Sequence, residues 1–224
     1  MTKVISFCLW GDNPKYTVGA IRNAERAKMF YSGWDVWMYF ADCVPKDIVQ
    51  ALSDLDCHMI PMGEGSWKAM FWRFLPAANP NITVISRDTD SRLGIREKYA
   101  VDDWLASDKD FHIMRDHPYH RAPILGGMWG SKADFLRKIG LKSKIIEWNK
   151  IKQSYQLGVD QDFLGRIIYP IVKDNSFEHS DFNIYYGNKT HKFKERENYE
   201  FIGDVFDEND ERHPDYWKII KNVK

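Results

Sequence analysis

Short apolar runs separated by segments of helical spacing decide what the first half of this chain can become. Residues 4–9, 36–40, 57–61 and 82–85 are too short for core helices and rich in Val, Ile and Phe, so they read as strands. Between them, residues 16–31 place Val18, Ile21, Ala24 and Met29 at helical spacing, with Gly33 just beyond. Residues 45–52 read as a short helix opening on Pro45, and residues 66–75 as a helix capped by Ser66. Strands alternating with helices predict an α/β fold, a mostly parallel central sheet joined by right-handed crossovers and flanked by helices. In such sheets ligands gather at the carboxyl ends of the strands.

The pattern continues with a helix over 95–106 and a strand over 111–114. Residues 124–129 form an apolar run with Gly126 and Gly127 in its middle, which marks either a bulge or a close approach by another group. Helices are predicted over 131–139 and 142–155, and again after Gly158 until Pro170 stops the chain near Tyr169. Beyond Ile171 the sequence is polar and irregular. No repeat, linker or low-complexity tract divides residues 1–224, which are read as one domain.

Lys+Arg and Asp+Glu balance at 32 each, so no overall field recruits nucleic acid or an anionic membrane, and a polyanion has to be held by local arginines. No stretch approaches the ~18 apolar residues of a spanning helix. Cys8, Cys43 and Cys57 form no Cys-x-x-Cys pattern and leave one unpaired in any disulfide scheme, which predicts a reducing compartment. The first apolar run follows Met1 with no leader pattern, so a cytoplasmic location is expected and the sequons at Asn81 and Asn188 should be idle. Nothing in the sequence fixes an oligomeric state.

The run at 82–85 ends abruptly in Arg87-Asp88-Thr89-Asp90-Ser91-Arg92. On extended backbone, side chains two apart share a face, so Asp88 and Asp90 can point at one spot. Two hard oxygen donors suit Mg²⁺ or Mn²⁺, while Arg87 and Arg92 could balance a polyphosphate or the carboxylates themselves. A polar turn after a core strand accounts for the same residues. Asp12 and Asn13 lie in another strand-end loop, where turn chemistry and contact with a base or ribose both fit. Arg73 is a lone charge in an aromatic helix, able to snorkel to solvent or to reach a diphosphate beside the Asp pair. Asp160 and Asp162 open a helix, where acids are expected from capping alone. His117 and His120 flank Pro118, which favours acceptor contact or loop packing over a metal pair.

Taken in order, an N-terminal βα region, Asp88-Thr89-Asp90, Leu125-Gly126-Gly127-Met128-Trp129-Gly130, Asp160-Gln161-Asp162 and a late histidine resemble glycosyltransferases of the GT-A fold. Arg87–Arg92, Arg96-Glu97 and Arg115-Asp116-His117-Pro118 are also similar to small glycosyltransferases of bacteria and large DNA viruses of the chlorella-virus type; a viral origin would place the chain in the host cytoplasm. The resemblance implies a nucleotide-binding half over 1–92 and a sugar- and acceptor-binding half over 93–224. It implies transfer of a sugar from a nucleoside-diphosphate donor, a UDP-sugar favoured, to a hydroxyl of a glycan or other acceptor. Asp88 would face ribose and metal, and Asp90 would ligate Mn²⁺ or Mg²⁺. His179, with His191 second, would be a third ligand. Asp160 would meet donor-sugar hydroxyls and Asp162 act as the base of an inverting reaction. Arg73, Arg87, Arg92, Asp12, Gly126 and Gly127 would line the donor site. Two other classes carry some of the same residues: a haloacid-dehalogenase-like phosphatase, and a non-catalytic sugar- or nucleotide-binding module.

Overall fold

The computed structural model describes residues 1–152, 158–182 and 189–222. Among these, eight strands join in one sheet in the order β3–β2–β1–β4–β6–β5–β7–β8. The strands are β1 Thr2–Leu9, β2 Asp35–Phe40, β3 His58–Pro61, β4 Ile82–Ser86, β5 Phe111–Arg115, β6 Trp129–Ser131, β7 Ser176–Ser180 and β8 Thr190–His191. Neighbours run parallel except at β6, which is antiparallel to β4 and β5. The helices are α1 Pro14–Phe30, α2 Lys46–Asp54, α3 Ile95–Ala106, α4 Phe135–Lys138, α5 Leu141–Ile151, α6 Val159–Phe163, α7 Tyr169–Val172 and α8 Pro214–Asn222. This is the expected α/β architecture, a mostly parallel central sheet flanked by helices. Among the described residues no helix is long and apolar enough to cross a membrane, and all three cysteines are free thiols. Asn188 lies outside the described residues.

β1 and β4 pair at the centre and bury nearly every side chain, which is why their sequences are apolar on both faces. Val4, Phe74, Val84, Phe111, Trp129 and Phe163 belong to one core cluster. Ile5, Phe7, Ala24, Met38, Ile85 and Trp104 belong to another. Each large apolar side chain buried in this way contributes about 1.5–3 kcal/mol.

Four local expectations are corrected. Residues 125–128 form a turn closed by Met128 N–H on Leu125 O (3.1 Å), and the strand begins only at Trp129. Ser131 belongs to that strand, so the helix expected over 131–139 shrinks to Phe135–Lys138. Pro170 does not stop its helix. Leu164–Ile168 widen into a π-helical turn, and the chain restarts as α7 with Pro170 in its first turn, where no N–H is needed. The irregular tail contains β7 and α8. β7 escapes a hydrophobic reading because its buried residues are Glu178, His179 and Ser180.

Polar groups of this kind recur on the β5–β7 side and pair with one another inside the fold. Arg115 and Glu178 form a fully buried ion pair at 2.8 Å. Asp116 accepts from both Nε and Nη2 of Arg96 (2.8 Å each) and from Arg196 (2.8 Å). His112 stacks on Trp104 (ring centroids 5.2 Å apart, planes at 11°) and shares a 3.0 Å hydrogen bond with His179. Burial holds the His112 imidazole far below its ordinary value, and pushes His179 down to about 4.

In the unfolded chain both rings titrate near 6.5, so as pH falls the unfolded state takes up protons first and stability is lost. A His179→Phe variant is expected to lose less stability than the parent between pH 7.5 and pH 5, by about 2 kcal/mol, in urea titrations at the two pH values. Equal losses would mean that His179 carries a proton in the folded chain.

Candidate active site

At the carboxyl ends of β1 and β4 the chain encloses a pocket of about 700 Å³. Trp10, Tyr16, Trp67 and Met70 form its aromatic and apolar wall. Gly11, Asp12 and Asn13 form the rim after β1, and Asp88, Thr89 and Asp90 the rim after β4. Gly126, Gly158, Asp160 and Gln161 enclose it from the second half of the chain, and Arg73 and Cys8 lie at its base.

Arg73 reaches this place because its segment is not an α-helix. Trp67–Ala78 is a 3-10 helix, begun by Ser66, whose Oγ accepts the Lys68 N–H at 3.2 Å. At three residues per turn, side chains three apart eclipse one another. Trp67, Met70 and Arg73 therefore stand in one row, and all three line the pocket. The Arg73 guanidinium is buried, with Nη1 3.0 Å from Asp88 Oδ1 and Nη2 2.7 Å from Asp160 Oδ2. Nη1 also lies 3.5 Å from Cys8 Sγ. Enclosure by the pocket walls pushes the Asp88 carboxyl above its usual range, although the side chain itself is open to the cavity; Arg73 pulls it back, while Asp90 and Asp160 push it further up. Burial likewise raises the Cys8 thiol, against the pull of Arg73.

Two glycines make room for this arrangement. A Cβ on Gly126 would stand 2.3 Å from Asp160 Oδ2 and 2.5 Å from Arg73 Nη2, and one on Gly127 only 2.2 Å from Asp88 Oδ2. Of the two readings of this pair, the close approach is the one realised. The Gly126 carbonyl also accepts the Ser86 hydroxyl at 3.0 Å, which ties the turn to the end of β4.

The loop that carries Asp88 and Asp90 is braced from two sides. From α1, the Asn23 amide donates to Thr89 O (3.2 Å) and Ser91 O (2.8 Å) and accepts from Leu93 N–H (2.9 Å). The helix comes this close because a Cβ on Gly19 would meet Thr89 O at 2.1 Å. From the C-terminal flank, Phe206 N–H donates to Asp90 O at 2.9 Å. Asn13 caps α1 by accepting Lys15 N–H at 3.0 Å, and Lys15 Nζ lies 2.8 Å from Asp90 Oδ2. Neither Lys15 nor Cys8 carries a motif that would mark it in the sequence.

Of the expected site residues, the structure brings together Asp12, Arg73, Asp88, Asp90, Gly126 and Asp160 around the pocket, with Gly127 against Asp88. Five others stand elsewhere. Arg87 points to the opposite side of the strand end from Asp88, as alternation requires. It is buried against Glu97, Ser86 O (2.7 Å) and Trp129 O (3.0 Å), so it balances a core carboxylate rather than a ligand. Arg92 braces the loop through Thr89 O (3.3 Å), Asp207 O (3.2 Å) and Asp210 Oδ1 (2.8 Å). His179 sits on β7, three strand spacings or roughly 14 Å from β4. Its neighbours are His112, Phe193 and Asp103 rather than the Asp88/Asp90 pair. His191 stacks on Phe177 (3.9 Å between centroids).

Asp162 is the fifth. Two positions along a helix are nearly opposite in direction, so Asp160 turns inward while Asp162 faces out, 42% exposed and 3.8 Å from Arg166. Asp162 lines a shallower recess of about 460 Å³ that shares Gly158 and Gln161 with the main pocket. His117 and His120 accept backbone N–H groups of their own loop, from Tyr119 (3.0 Å) and Asp116 (3.1 Å).

Among the described residues no three His, Cys, Asp or Glu side chains converge as a complete cation cage. The Asp88 and Asp90 carboxylates nevertheless fit a hard divalent ion of the kind held by two carboxylates and completed by phosphate and water. Asp88 is 41% and Asp90 20% exposed at the pocket.

No protein-family model matches the sequence, and a comparison with curated protein sequences finds no relative. Solved structures that superpose on the chain include glucosyl-3-phosphoglycerate synthase of Mycobacterium tuberculosis in complex with Mg²⁺ and UDP. It is 10% identical over 79% of this chain and 68% of that one, with a TM-score of 0.49. The galactosyltransferase LgtC, in complex with donor and acceptor sugar analogues, is 12% identical over 80% and 73%, with a TM-score of 0.45. The glycosyltransferase GlyE of Streptococcus pneumoniae TIGR4 is 15% identical over 80% and 45%, with a TM-score of 0.49.

If Arg73 is the counter-charge that permits Asp88 and Asp160 to share the pocket, Arg73→Met leaves two carboxylates facing each other. Breaking a buried pair in this way is expected to lower the unfolding free energy by about 3 kcal/mol in urea titration. Arg166→Met, on the exposed face, is expected to change it by less than about 0.5 kcal/mol. Similar small effects from both variants would refute the counter-charge role.

Proposed function

We propose that this chain is a metal-dependent glycosyltransferase that moves a sugar from a nucleoside-diphosphate donor, with a UDP-sugar favoured, to a hydroxyl of a glycan or other acceptor. The observation that carries the reading is the convergence of Asp88, Asp90 and Asp160 on one pocket at the carboxyl ends of β1 and β4, with Arg73 buried among them. The order of motifs along the chain supports it independently. Residues 1–92 supply the base, ribose and diphosphate side of the pocket, and residues 93–224 the sugar and acceptor side.

In this reading the Trp10, Tyr16 and Trp67 rings offer flat apolar faces to the base or sugar. Asp12, on the rim, is placed for base or ribose. Asp88 and Asp90 each present carboxylate oxygen toward the diphosphate position. A divalent cation held there, Mn²⁺ or Mg²⁺, would stabilise the charge on the departing diphosphate, an effect worth several kcal/mol. Asp160, fixed by Arg73 and close to Gly126, accepts hydrogen bonds from donor-sugar hydroxyls. Asp162, in the adjoining recess, takes the proton of the attacking acceptor hydroxyl if configuration is inverted, and Gly158 and Gln161 form the shared edge where the two substrates meet. His179 has no part in this scheme.

Incubation with a panel of nucleotide sugars and Mn²⁺ tests the reading directly. Donor turnover supports a transferase; tight binding without turnover points to a binding module; and cleavage of p-nitrophenyl phosphate points to a phosphatase. Asp90→Ala is expected to abolish Mn²⁺-dependent UDP binding in calorimetry while the melting temperature stays within a few degrees of the parent, because Asp90 is partly exposed and its loop is held by backbone contacts. Retained metal-dependent affinity would remove Asp90 from the site.

A further inference from the structure

Each carboxylate of the Asp88/Asp90 pair already has a cation of the chain on one of its oxygens. Arg73 holds Asp88 Oδ1 at 3.0 Å, and Lys15 holds Asp90 Oδ2 at 2.8 Å. The two cations differ in freedom. Arg73 is buried and held by Asp88, Asp160 and Cys8 together. Lys15 lies in the first turn of α1, 31% exposed, with its Nζ 5.2 Å from the ring of Tyr16, a pocket-lining residue. Its backbone is fixed by the Asn13 cap, but a flexible four-carbon stem carries the ammonium. Asp90 has a short side chain on backbone held by Phe206 N–H (2.9 Å), so the long lysine stem has the wider reach of the two.

We propose that Lys15 is a built-in counter-ion that makes divalent-cation binding at Asp88 and Asp90 contingent on the arrival of a nucleoside diphosphate. The inference rests on the metal-dependent donor site proposed above and adds a residue that couples cation binding to the presence of the diphosphate. A divalent ion alone must share Asp90 with an ammonium a few ångströms away, and at that range like charges repel strongly outside bulk water. A diphosphate brings acceptor oxygens and negative charge to the same spot. The ammonium then has somewhere to turn, and Asp90 Oδ2 is released. Lys15 is a positioning residue here: it acts through Asp90 and forms no bond to a reacting atom.

The test is titration of Mn²⁺ by calorimetry, without and with saturating UDP, into the parent, Lys15→Met and Lys15→Arg. Lys15→Met is expected to bind Mn²⁺ alone about tenfold more tightly than the parent, as removal of a neighbouring positive charge predicts. The enhancement of Mn²⁺ affinity by UDP should shrink by a similar factor, and Lys15→Arg should behave as the parent does. Lys15→Gln, polar but uncharged, is expected to follow Lys15→Met, which separates charge from shape; thermal melts of each variant establish that it is folded. If the parent binds Mn²⁺ in the presence of UDP but Lys15→Met and Lys15→Gln bind Mn²⁺ alone no better than the parent does, the counter-ion role is overturned and the metal pair stands. If the parent binds no Mn²⁺ even with UDP, the metal-dependent site itself falls, and this inference with it.

Discussion

A guanidinium ion taken out of water needs carboxylates on more than one side, and the architecture of the pocket follows from meeting that need for Arg73. Removing an ion from water costs several kcal/mol after relaxation, and only close, well-directed partners offset it. Asp88 comes from the end of β4 and Asp160 from the start of α6, elements separated by more than seventy residues of chain. For all three groups to meet, the segment Trp67–Ala78 must wind as a 3-10 helix and the wall beside them must lack side chains at Gly126. The ion pair, the helix type and the glycine are thus one constraint seen from three places. Disturbing any of them moves the pocket base.

Precision at the rim has a different source. The Asp88–Asp90 loop is held by backbone and amide contacts: Asn23 from α1, Phe206 from the C-terminal flank, and Arg92 linking the loop to Asp207 and Asp210. Short neutral hydrogen bonds of this kind fix position without adding net charge near the carboxylates. Arg92 does bring charge, but matches it with Asp210 outside the pocket. The C-terminal flank therefore serves the site through residues that, among those described, do not line it, and its polar, irregular sequence reflects partners found in a loop rather than in a core.

Sequence reasoning recovered the sheet because buried parallel strands are continuous apolar runs, as at 82–85, and Asp88 and Asp90 because a charged break after such a run stands out. It misplaced Arg87, which leaves the strand end on the side opposite Asp88, and it missed that a turn at Thr89 and Asp90, not extended backbone, joins the two aspartates. It missed β7 because Glu178 and His179 are polar residues made tolerable inside by Arg115 and His112, partners more than sixty positions distant. Helical spacing over 66–75 was legible, but the change from 3.6 to three residues per turn was not, and that change aligns Trp67, Met70 and Arg73. Only the resemblance, through order along the chain, points His179 at the metal. Strand order, which sequence does not reveal, sets it far from β4.

The charges that converge on the pocket give a last step. Asp12, Asp88, Asp90 and Asp160 set four carboxylates against two cations, Arg73 and Lys15, so the side chains alone leave an excess of two negative charges when all are ionised. A nucleoside diphosphate adds further negative charge and would be repelled by such a surface rather than drawn to it. The upward push on Asp88 from its carboxylate neighbours is the same repulsion seen from inside the protein. With Arg87 and Arg92 both engaged elsewhere, Arg73 is the one arginine that lines the pocket among the described residues. In the function proposed for this chain, a polyphosphate would therefore need a divalent cation with it, and the surplus carboxylate at Asp88 and Asp90 is the charge such a cation would neutralise.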